Sequence, residues 1–177
     1  MAGKAYIRAD ELTRDSFSLA ARIYDSGYRP DVLLVLWRGG TPVGIVIHEF
    51  LLYKGVRTYH AAVKATSYTG VEKRVEPRVE HLDPVLEQVA PGARVLVVDD
   101  IFDSGRTLEK VKGLLSSRTP HVRIATLYYK PDNNETSLTP DYYLRTTREW
   151  IVFPHELMDL TEEELREKDP HVAALLV

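Results

Sequence analysis

The chain has 177 residues, 44% of them hydrophobic, with 23 basic and 26 acidic side chains and a net charge of −3. A chain of this length can bury most of the surface that it exposes when unfolded, so we expect one globular domain spanning residues 1–177. The charge balance argues against a duplex nucleic-acid binder, which needs a basic surplus, and the lack of cysteine excludes disulfides and thiolate chemistry.

The N-terminal segment, residues 1–6, lacks the apolar core of a signal peptide, and no apolar stretch of the chain approaches the length of a membrane span. We therefore expect a cytoplasmic protein that has neither a membrane nor a nucleic acid as a partner. From there, apolar runs alternate with helical patterns along the chain. This alternation is typical of an α/β domain whose central, mainly parallel twisted sheet is flanked by helices.

The spacing of apolar residues predicts helices over 11–26, 82–89 and 107–115, and strands over 31–37, 57–63, 94–98 and 122–129. Two short apolar segments, 142–144 and 150–153, follow them. Another helix is expected to begin with Thr41 as its N-cap and Pro42 in its first turn, and to end at Gly55. Residues 64–80 have the profile of a long exposed loop or hairpin, and such loops are usually mobile or functional. Near the end, Thr161 and Glu164 have the spacing of a capping box that begins an acidic helix.

The most informative segment is the central strand and the turn that follows it. An apolar run, residues 95–98, ends in Asp99 and Asp100, and a Ser-Gly-x-Thr turn at residues 104–107 then opens a helix. Carboxylates suit sugar hydroxyls and divalent cations, whereas backbone N–H groups at a helix N-terminus suit an anion. One loop therefore offers complementary groups to a phosphorylated sugar.

Residues 95–108 resemble the phosphoribosyl-pyrophosphate motif of type I phosphoribosyltransferases at every position of that motif. Residues 37–40, Trp-Arg-Gly-Gly, resemble the pyrophosphate loop of the family, and residues 64–68 resemble the start of its active-site lid. Lys130 and residues 150–156 resemble the base-recognition elements of the 6-oxopurine branch, which acts on hypoxanthine, guanine and xanthine. The resemblance spans residues 31–157 and implies a core over about 28–130, a small hood built from the N-terminal and 131–160 segments, and a tail helix over 161–177.

The resemblance implies a purine salvage enzyme that transfers ribose 5-phosphate from phosphoribosyl pyrophosphate to a 6-oxopurine and releases pyrophosphate. Asp99 and Asp100 would hold the ribose hydroxyls and, with them, Mg²⁺, while Glu156 would contact a second Mg²⁺ through the pyrophosphate. The peptide bond before Arg38 is often cis in the family. The residues implied to bind phosphoribosyl pyrophosphate are Arg38, Gly39, Asp99, Asp100, Asp103, Ser104, Gly105, Arg106 and Thr107.

For the base, the resemblance implies that Asp103 is the catalytic residue that accepts the proton leaving the purine. Lys130 would donate to the oxygen at purine C6, because an ammonium can donate hydrogen bonds but cannot accept them. Trp150 would stack on the purine face. Ile101 and the backbone of Ile151 complete the base-binding residues, and Ser67 and Tyr68 belong to the lid.

Two alternatives remain open from the sequence. The same fold could act on adenine, or the protein could bind phosphoribosyl pyrophosphate or a nucleotide as a regulator without turnover. Structural explanations also compete with each assignment: a solvated turn for the two aspartates, a core position for Trp150 and an inert loop for the lid.

Asn134-Glu135-Thr136 matches a glycosylation sequon, which we interpret as coincidence. Family members usually form dimers or tetramers, so a homo-oligomer is expected.

Overall fold

A computed structural model describes residues 3–66, 69–70, 73–74 and 76–176. The chain divides into two compact units, one formed by Thr13–Arg148 and the other by Met1–Leu12 with Glu149–Val177. Within the described ranges, no helix is both long and apolar enough to cross a bilayer.

The helices and strands follow one another along the chain in an alternating order that is typical of α/β proteins. They are β1 (Lys4–Tyr6), α1 (Ala9–Asp25), β2 (Val32–Trp37), α2 (Gly40–Tyr53), β3 (Tyr59–Thr66), β4 (Thr69–Gly70), β5 (Lys73–Arg74), β6 (Arg78–Glu80), α3 (Asp83–Gln88), β7 (Val95–Val98), β8 (Ile101–Phe102), α4 (Arg106–Leu115), β9 (Val122–Tyr129), β10 (Tyr142–Thr146), β11 (Trp150–Val152), α5 (Glu162–Lys168) and α6 (Pro170–Leu176). A 3₁₀ turn, Pro131–Asn133, follows β9.

The larger unit is built on one sheet with the strand order β10-β9-β7-β2-β3-β6, in which β8 also pairs with β9. Every pairing in it is parallel except that of β3 with β6. This confirms the predicted α/β fold with a mainly parallel sheet. From β2 the chain continues to β3 on one side, and from β7 it continues to β9 on the other. The boundary between β2 and β7 is therefore a switch point, where ligands of open α/β sheets bind beyond the carboxyl ends of the strands.

The core explains why the central strands are continuous apolar runs rather than alternating ones. All four residues of β7 are buried, and so are four of the six residues of β2, because parallel strands are covered on both faces. Helix α4 buries Leu108, Val111 and Leu115 against this sheet, at the spacing of one helical face. The rigid sheet thereby fixes the positions of the loops at its carboxyl edge.

Two helix ends and one hairpin can be compared with the predictions. Helix α2 begins at Gly40, and Gly39 rather than Thr41 occupies its N-cap, without a side-chain hydrogen bond. The prediction of Thr41 as the N-cap was therefore wrong. At the other end, Gly55 has φ +77°, the left-handed conformation that ends a helix, as predicted. The segment after residue 63 continues β3 to Thr66 and returns as β6, which pairs antiparallel with it as a hairpin.

The smaller unit contains a two-stranded parallel pairing of β1 with β11, in the register Lys4 to Trp150 and Tyr6 to Val152. The predicted capping box is confirmed, because Thr161 and Glu164 each accept a hydrogen bond from the other's backbone N–H. Two short helices, α5 and α6, stand where one tail helix was expected. Residues 131–148, expected in the hood, belong to the larger unit because β10 pairs with β9 and extends the sheet.

Candidate active site

The residues predicted to bind phosphoribosyl pyrophosphate lie at the carboxyl edge of the large sheet. Arg38 and Gly39 follow β2, Asp99 and Asp100 follow β7, and residues 103–107 lead from β8 into α4. Lys130 follows β9. Because the four strands are parallel, their carboxyl ends meet at the same edge, and the fold brings together segments that are far apart in sequence.

The glycine loop after β2 lies directly against the two aspartates after β7. A Cβ atom on Gly39 would overlap the Asp100 carboxylate, and one on Gly40 would overlap the Val98 carbonyl and stand 3.0 Å from the Asp99 Cα. These positions therefore require glycine for close backbone approach. The peptide bond between Trp37 and Arg38 is cis, as the resemblance implies.

Asp99 and Asp100 form a tightly coupled carboxylate pair. Asp100 is 7% exposed, and its backbone N–H donates a 3.0 Å hydrogen bond to Asp99 Oδ1. Burial and the neighbouring charge of Asp100 raise the pKa of Asp99 well above its ordinary value, although backbone hydrogen bonds from Asp100 and Gly40 oppose that rise. Two carboxylates so placed attract a cation or hydroxyl donors.

The loop after β8 surrounds a small cavity of about 170 Å³. Its lining residues are Asp99, Ile101, Asp103, Ser104, Gly105, Thr107 and Leu108. Gly105, at the N-cap of α4, has φ +78°, and a Cβ there would stand 2.5 Å from the Phe102 ring. Hydroxyls, the N–H groups of the first helical turn and two carboxylates thus face one cavity, which suits an anion next to a sugar.

Asp103 is hydrogen-bonded by two residues that follow β9. Lys130 Nζ donates to Asp103 Oδ2 over 3.1 Å, and Asn133 Nδ2 donates to Asp103 Oδ1 over 2.7 Å. The Lys130 side chain is 7% exposed, whereas that of Asp103 is 44% exposed. The sequence analysis assigned separate tasks to Asp103 and Lys130 and did not predict this pairing. It also missed Asn133, because a lone asparagine in a turn gives no periodic or motif signal.

Glu135 and Thr136 contact the loop of residues 103–107, named the phosphate loop after the role that the resemblance implies for it. The Glu135 N–H donates a 3.0 Å hydrogen bond to the Ser104 carbonyl, and the Glu135 carboxylate lies 3.9 Å from the Arg106 guanidinium. Asn134 closes its own turn, since its side chain donates to the Leu138 carbonyl over 2.7 Å and accepts from the backbone N–H of Thr136 over 2.9 Å. The sequon asparagine therefore has a structural task.

The remaining predicted site residues lie in the smaller unit or outside the described residues. Trp150 is 57% exposed on β11, whereas Ile151 is buried. Glu156 Oε2 accepts a hydrogen bond from the Phe153 N–H over 3.1 Å. Ser67 and Tyr68, predicted for the lid, are not among the described residues. Across the described part of the chain, no three His, Asp or Glu side chains cluster as a protein-only metal site.

Comparison with known proteins agrees with this geometry. Residues 6–160 match the family model of the phosphoribosyl transferase domain. The chain is 28% identical over 170 residues to the xanthine-guanine phosphoribosyltransferase of Cereibacter sphaeroides, covering 93% of each chain. It is 32% identical over 122 residues to the hypoxanthine-guanine phosphoribosyltransferase of Lactococcus lactis, covering 66% of this chain and 60% of that one.

Among solved structures, the chain is similar to a purine phosphoribosyltransferase from Pyrococcus horikoshii, with a TM-score of 0.70, 30% identity, and coverage of 89% of this chain and 97% of that one. It is also similar to a hypothetical protein from Neisseria gonorrhoeae with bound ppGpp, with a TM-score of 0.74 and 25% identity, covering 97% and 98% of the two chains.

Proposed function

Because the chain belongs to the phosphoribosyltransferase family, we propose that it transfers ribose 5-phosphate from phosphoribosyl pyrophosphate to a 6-oxopurine base in purine salvage, in the cytoplasm. The bond between the ribose anomeric carbon and pyrophosphate breaks, a bond from that carbon to a purine nitrogen forms, and the nucleoside monophosphate and pyrophosphate leave. Relatives named xanthine-guanine and hypoxanthine-guanine phosphoribosyltransferase support hypoxanthine, guanine and xanthine as the bases.

One observation carries the proposal: Asp99 and Asp103 line the same cavity as the Ser104-Gly105 turn and Thr107. The turn would bind the 5-phosphate through its N–H groups and hydroxyls, with Arg106 adding positive charge. Asp99 and Asp100 would accept hydrogen bonds from the ribose hydroxyls, and Arg38 with Gly39 would bind the pyrophosphate. In many enzymes, fixed hydrogen-bond donors aimed at the charge that develops in the transition state make the largest single contribution to the rate enhancement.

The donor set at this edge fits Mg²⁺. That ion prefers one or two carboxylates together with substrate phosphates. Asp99 and Asp100 supply two carboxylates, and the described residues contain no group of three His, Asp or Glu side chains that could hold a metal without substrate. When bound, Mg²⁺ would neutralise the pyrophosphate oxygens. The resemblance also assigns Glu156 to a second Mg²⁺; the hydrogen bond from Phe153 to Glu156 would hold that carboxylate in one orientation.

Base recognition is proposed to depend on Lys130 and Asp103. A purine 6-oxo group accepts hydrogen bonds, so it would compete with Asp103 for the Lys130 ammonium, whereas the amino group of adenine could not accept from it. Asp103 would then receive the proton released by the purine ring. Ile101, which lines the cavity beside Asp103, is assigned to base binding as well.

The proposal also includes assignments that come from the resemblance. Trp150 is expected to stack on a base, and its exposure leaves ring surface for such a contact. The backbone of Ile151 is expected to read the edge of the base. Ser67 and Tyr68 are expected to belong to a lid over the bound substrates. The roles of Trp150, Ser67 and Tyr68 are testable by substitution, with the Michaelis constants of the two substrates as the readout.

The proposed function is tested by measuring pyrophosphate release from phosphoribosyl pyrophosphate with hypoxanthine, guanine, xanthine, adenine or uracil, each with and without Mg²⁺. We expect Mg²⁺-dependent turnover with at least one 6-oxopurine. Turnover with adenine alone would refute the assignment of Lys130, and a lack of turnover with every base would refute the enzyme.

A regulator that binds a nucleotide without turnover is a second candidate, and one observation favours it. The similar chain from Neisseria gonorrhoeae was solved with ppGpp bound. If the protein is such a regulator, calorimetry should detect ppGpp binding while no base gives turnover. Binding together with turnover would instead make ppGpp a ligand of the enzyme.

We also propose a homo-oligomer, a dimer or tetramer. Helix α2 buries Val43, Ile47 and Leu51 but also exposes the large apolar side chains of Ile45 and Tyr53, by 60% and 87% respectively. Exposed apolar patches often mark protein–protein interfaces. Sedimentation of the protein and of an Ile45→Glu variant would test whether this surface is an interface.

A further inference from the structure

The two oxygens of the Asp103 carboxylate have different kinds of partner. Oδ2 accepts from the Lys130 ammonium, and Oδ1 accepts from the Asn133 side-chain amide. In the proposed reaction the 6-oxo group of the purine also takes a hydrogen bond from Lys130. The contact at Oδ2 is therefore the one that substrate disturbs, while the shorter contact at Oδ1 involves no group of the substrate.

The backbone of Asn133 is fixed by a turn, and its side chain lies at the surface. Asn133 ends the 3₁₀ turn that follows β9, and its backbone N–H donates a 3.1 Å hydrogen bond to the Lys130 carbonyl. The neighbouring Asn134 fixes the next turn through its side chain, which donates to the Leu138 carbonyl and to the Tyr129 hydroxyl. The turn therefore fixes the direction from which the Asn133 amide approaches the Asp103 carboxylate.

Residues 133–136 contact successive residues of the phosphate loop, Asp103 to Gly105. Asn133 contacts Asp103, the Glu135 N–H donates to the Ser104 carbonyl, and the Thr136 hydroxyl occupies the space beside Gly105. A shift of residues 133–136 would therefore move Asp103 and the phosphate loop together. This continuity connects the end of β9, where Lys130 lies, to the N-terminus of α4.

We propose that Asn133 is a positioning residue for Asp103, which holds Oδ1 in place so that the carboxylate keeps its orientation when Lys130 turns from Oδ2 to the 6-oxo group of the base. This inference rests on the proposed function. Asn133 touches no substrate in it; the residue acts only through Asp103. Without the amide, Asp103 would lose its remaining fixed partner at the moment when it must accept the proton.

The test is a double-mutant cycle in which Asn133→Leu and Asp103→Asn are made singly and together, with turnover measured under saturating substrates. Asn133→Leu alone should lower kcat by about tenfold to a hundredfold, the range expected for one hydrogen bond to a charged group. In the Asp103→Asn background the same change should have almost no further effect, because the group that Asn133 orients has already lost its function. Asn133→Gln, which keeps the N–H donor, should recover part of the loss.

Asp132→Asn is the matched control, because Asp132 lies in the same turn but pairs with the exposed Arg148. It should leave kcat and both Michaelis constants unchanged. The inference is overturned if Asn133→Leu retains full kcat, or if it lowers kcat by the same factor with and without the Asp103 carboxylate, since a purely structural role would act in both backgrounds.

The failure of the proposed function gives a different result. If the wild-type protein turns over none of the bases, both the proposed function and this inference are refuted. If the wild type is active but the effects of the two substitutions on kcat are additive, only the role of Asn133 is refuted. A second cycle, measured by urea unfolding, replaces Asp103→Asn with Asp103→Ala, because an amide oxygen at residue 103 could still accept from Asn133. This cycle reports the hydrogen bond from Asn133 to Asp103 independently of turnover, and non-additive unfolding free energies are expected.

Discussion

Lys130 and Asp103 form an ion pair in which the ammonium is almost fully buried and the carboxylate is nearly half exposed. The two residues lie 27 positions apart in sequence and meet because β8 and β9 are neighbours with parallel directions. The pair places an ammonium donor and a carboxylate acceptor beside each other at the edge of the cavity after β8. In the proposed reaction, the purine separates the two partners and uses both.

Lys130→Met is expected to reduce kcat/KM for 6-oxopurines by about tenfold to a hundredfold, because one charge-assisted hydrogen bond to the base is lost. The Michaelis constant for phosphoribosyl pyrophosphate should change little. Steady-state kinetics with hypoxanthine and guanine measure the effect. Lys110→Met is the control, since Lys110 lies on α4 and its ammonium is 3.8 Å from the exposed Glu76. Equal losses in the two variants would contradict the role of Lys130.

Asp103→Asn is expected to lower kcat by a factor of about 10² to 10⁴, the usual contribution of a general base. The amide keeps the shape of the side chain but accepts a proton far less readily, so the binding of phosphoribosyl pyrophosphate should persist. Rapid-quench turnover and calorimetry separate the two quantities. A variant that retains the wild-type rate would remove Asp103 from the chemistry.

Gly39→Ala is expected to raise the Michaelis constant for phosphoribosyl pyrophosphate by about tenfold. Inserting an extra methyl group into a tightly packed contact typically costs about 1–3 kcal/mol. The new methyl group would overlap the Asp100 carboxylate and displace either the loop or the acid. Gly113→Ala is the matched control: a Cβ there would extend into open space, and the residue lies inside α4. That control should keep full activity and gain about 0.5–1 kcal/mol of stability.

Asp31→Asn is expected to make unfolding easier at neutral pH but not in acid. Hydrogen bonds from the Arg94 side chain, followed by one from its backbone N–H, hold the pKa of Asp31 below its ordinary value despite partial burial. A lowered pKa adds stability above the unfolded pKa of about 3.9, and that stability is lost as the pH falls through the folded pKa. Urea midpoints of the two proteins should therefore converge as the solution is acidified. A difference that does not depend on pH would show that ionisation of Asp31 contributes nothing.

Local patterns in the sequence predicted several elements well. The strand over 122–129 has the bounds that were predicted for it, because an apolar run of that length between turn residues has few alternatives. The capping box at Thr161 was also predicted, since all of its hydrogen bonds lie within one helical turn. By contrast, β1 and β8 were missed, because strands of three and two residues carry no measurable periodicity.

Two differences between the structure and the sequence-based expectations have the same physical cause. Thr41 has the chemistry of an N-cap, yet α2 begins at Gly40, where the glycines allow the backbone to approach Asp99 and Asp100. Residues 131–148 were expected in the hood, yet β10 gains a partner by joining the sheet. In both places, contacts with distant segments outweighed the local preference.

By itself, the order of residues determined the family and the parallel sheet, and it predicted most of the residues that line the cavity after β8. Each of these depends on short motifs and on the alternation of apolar and helical runs. Only the tertiary structure decided that Lys130 and Asn133 share the carboxylate of Asp103 and that Gly39 touches Asp100. Those contacts join segments that follow different strands, and their distances are set by how the strands pair, which no local pattern in the chain encodes.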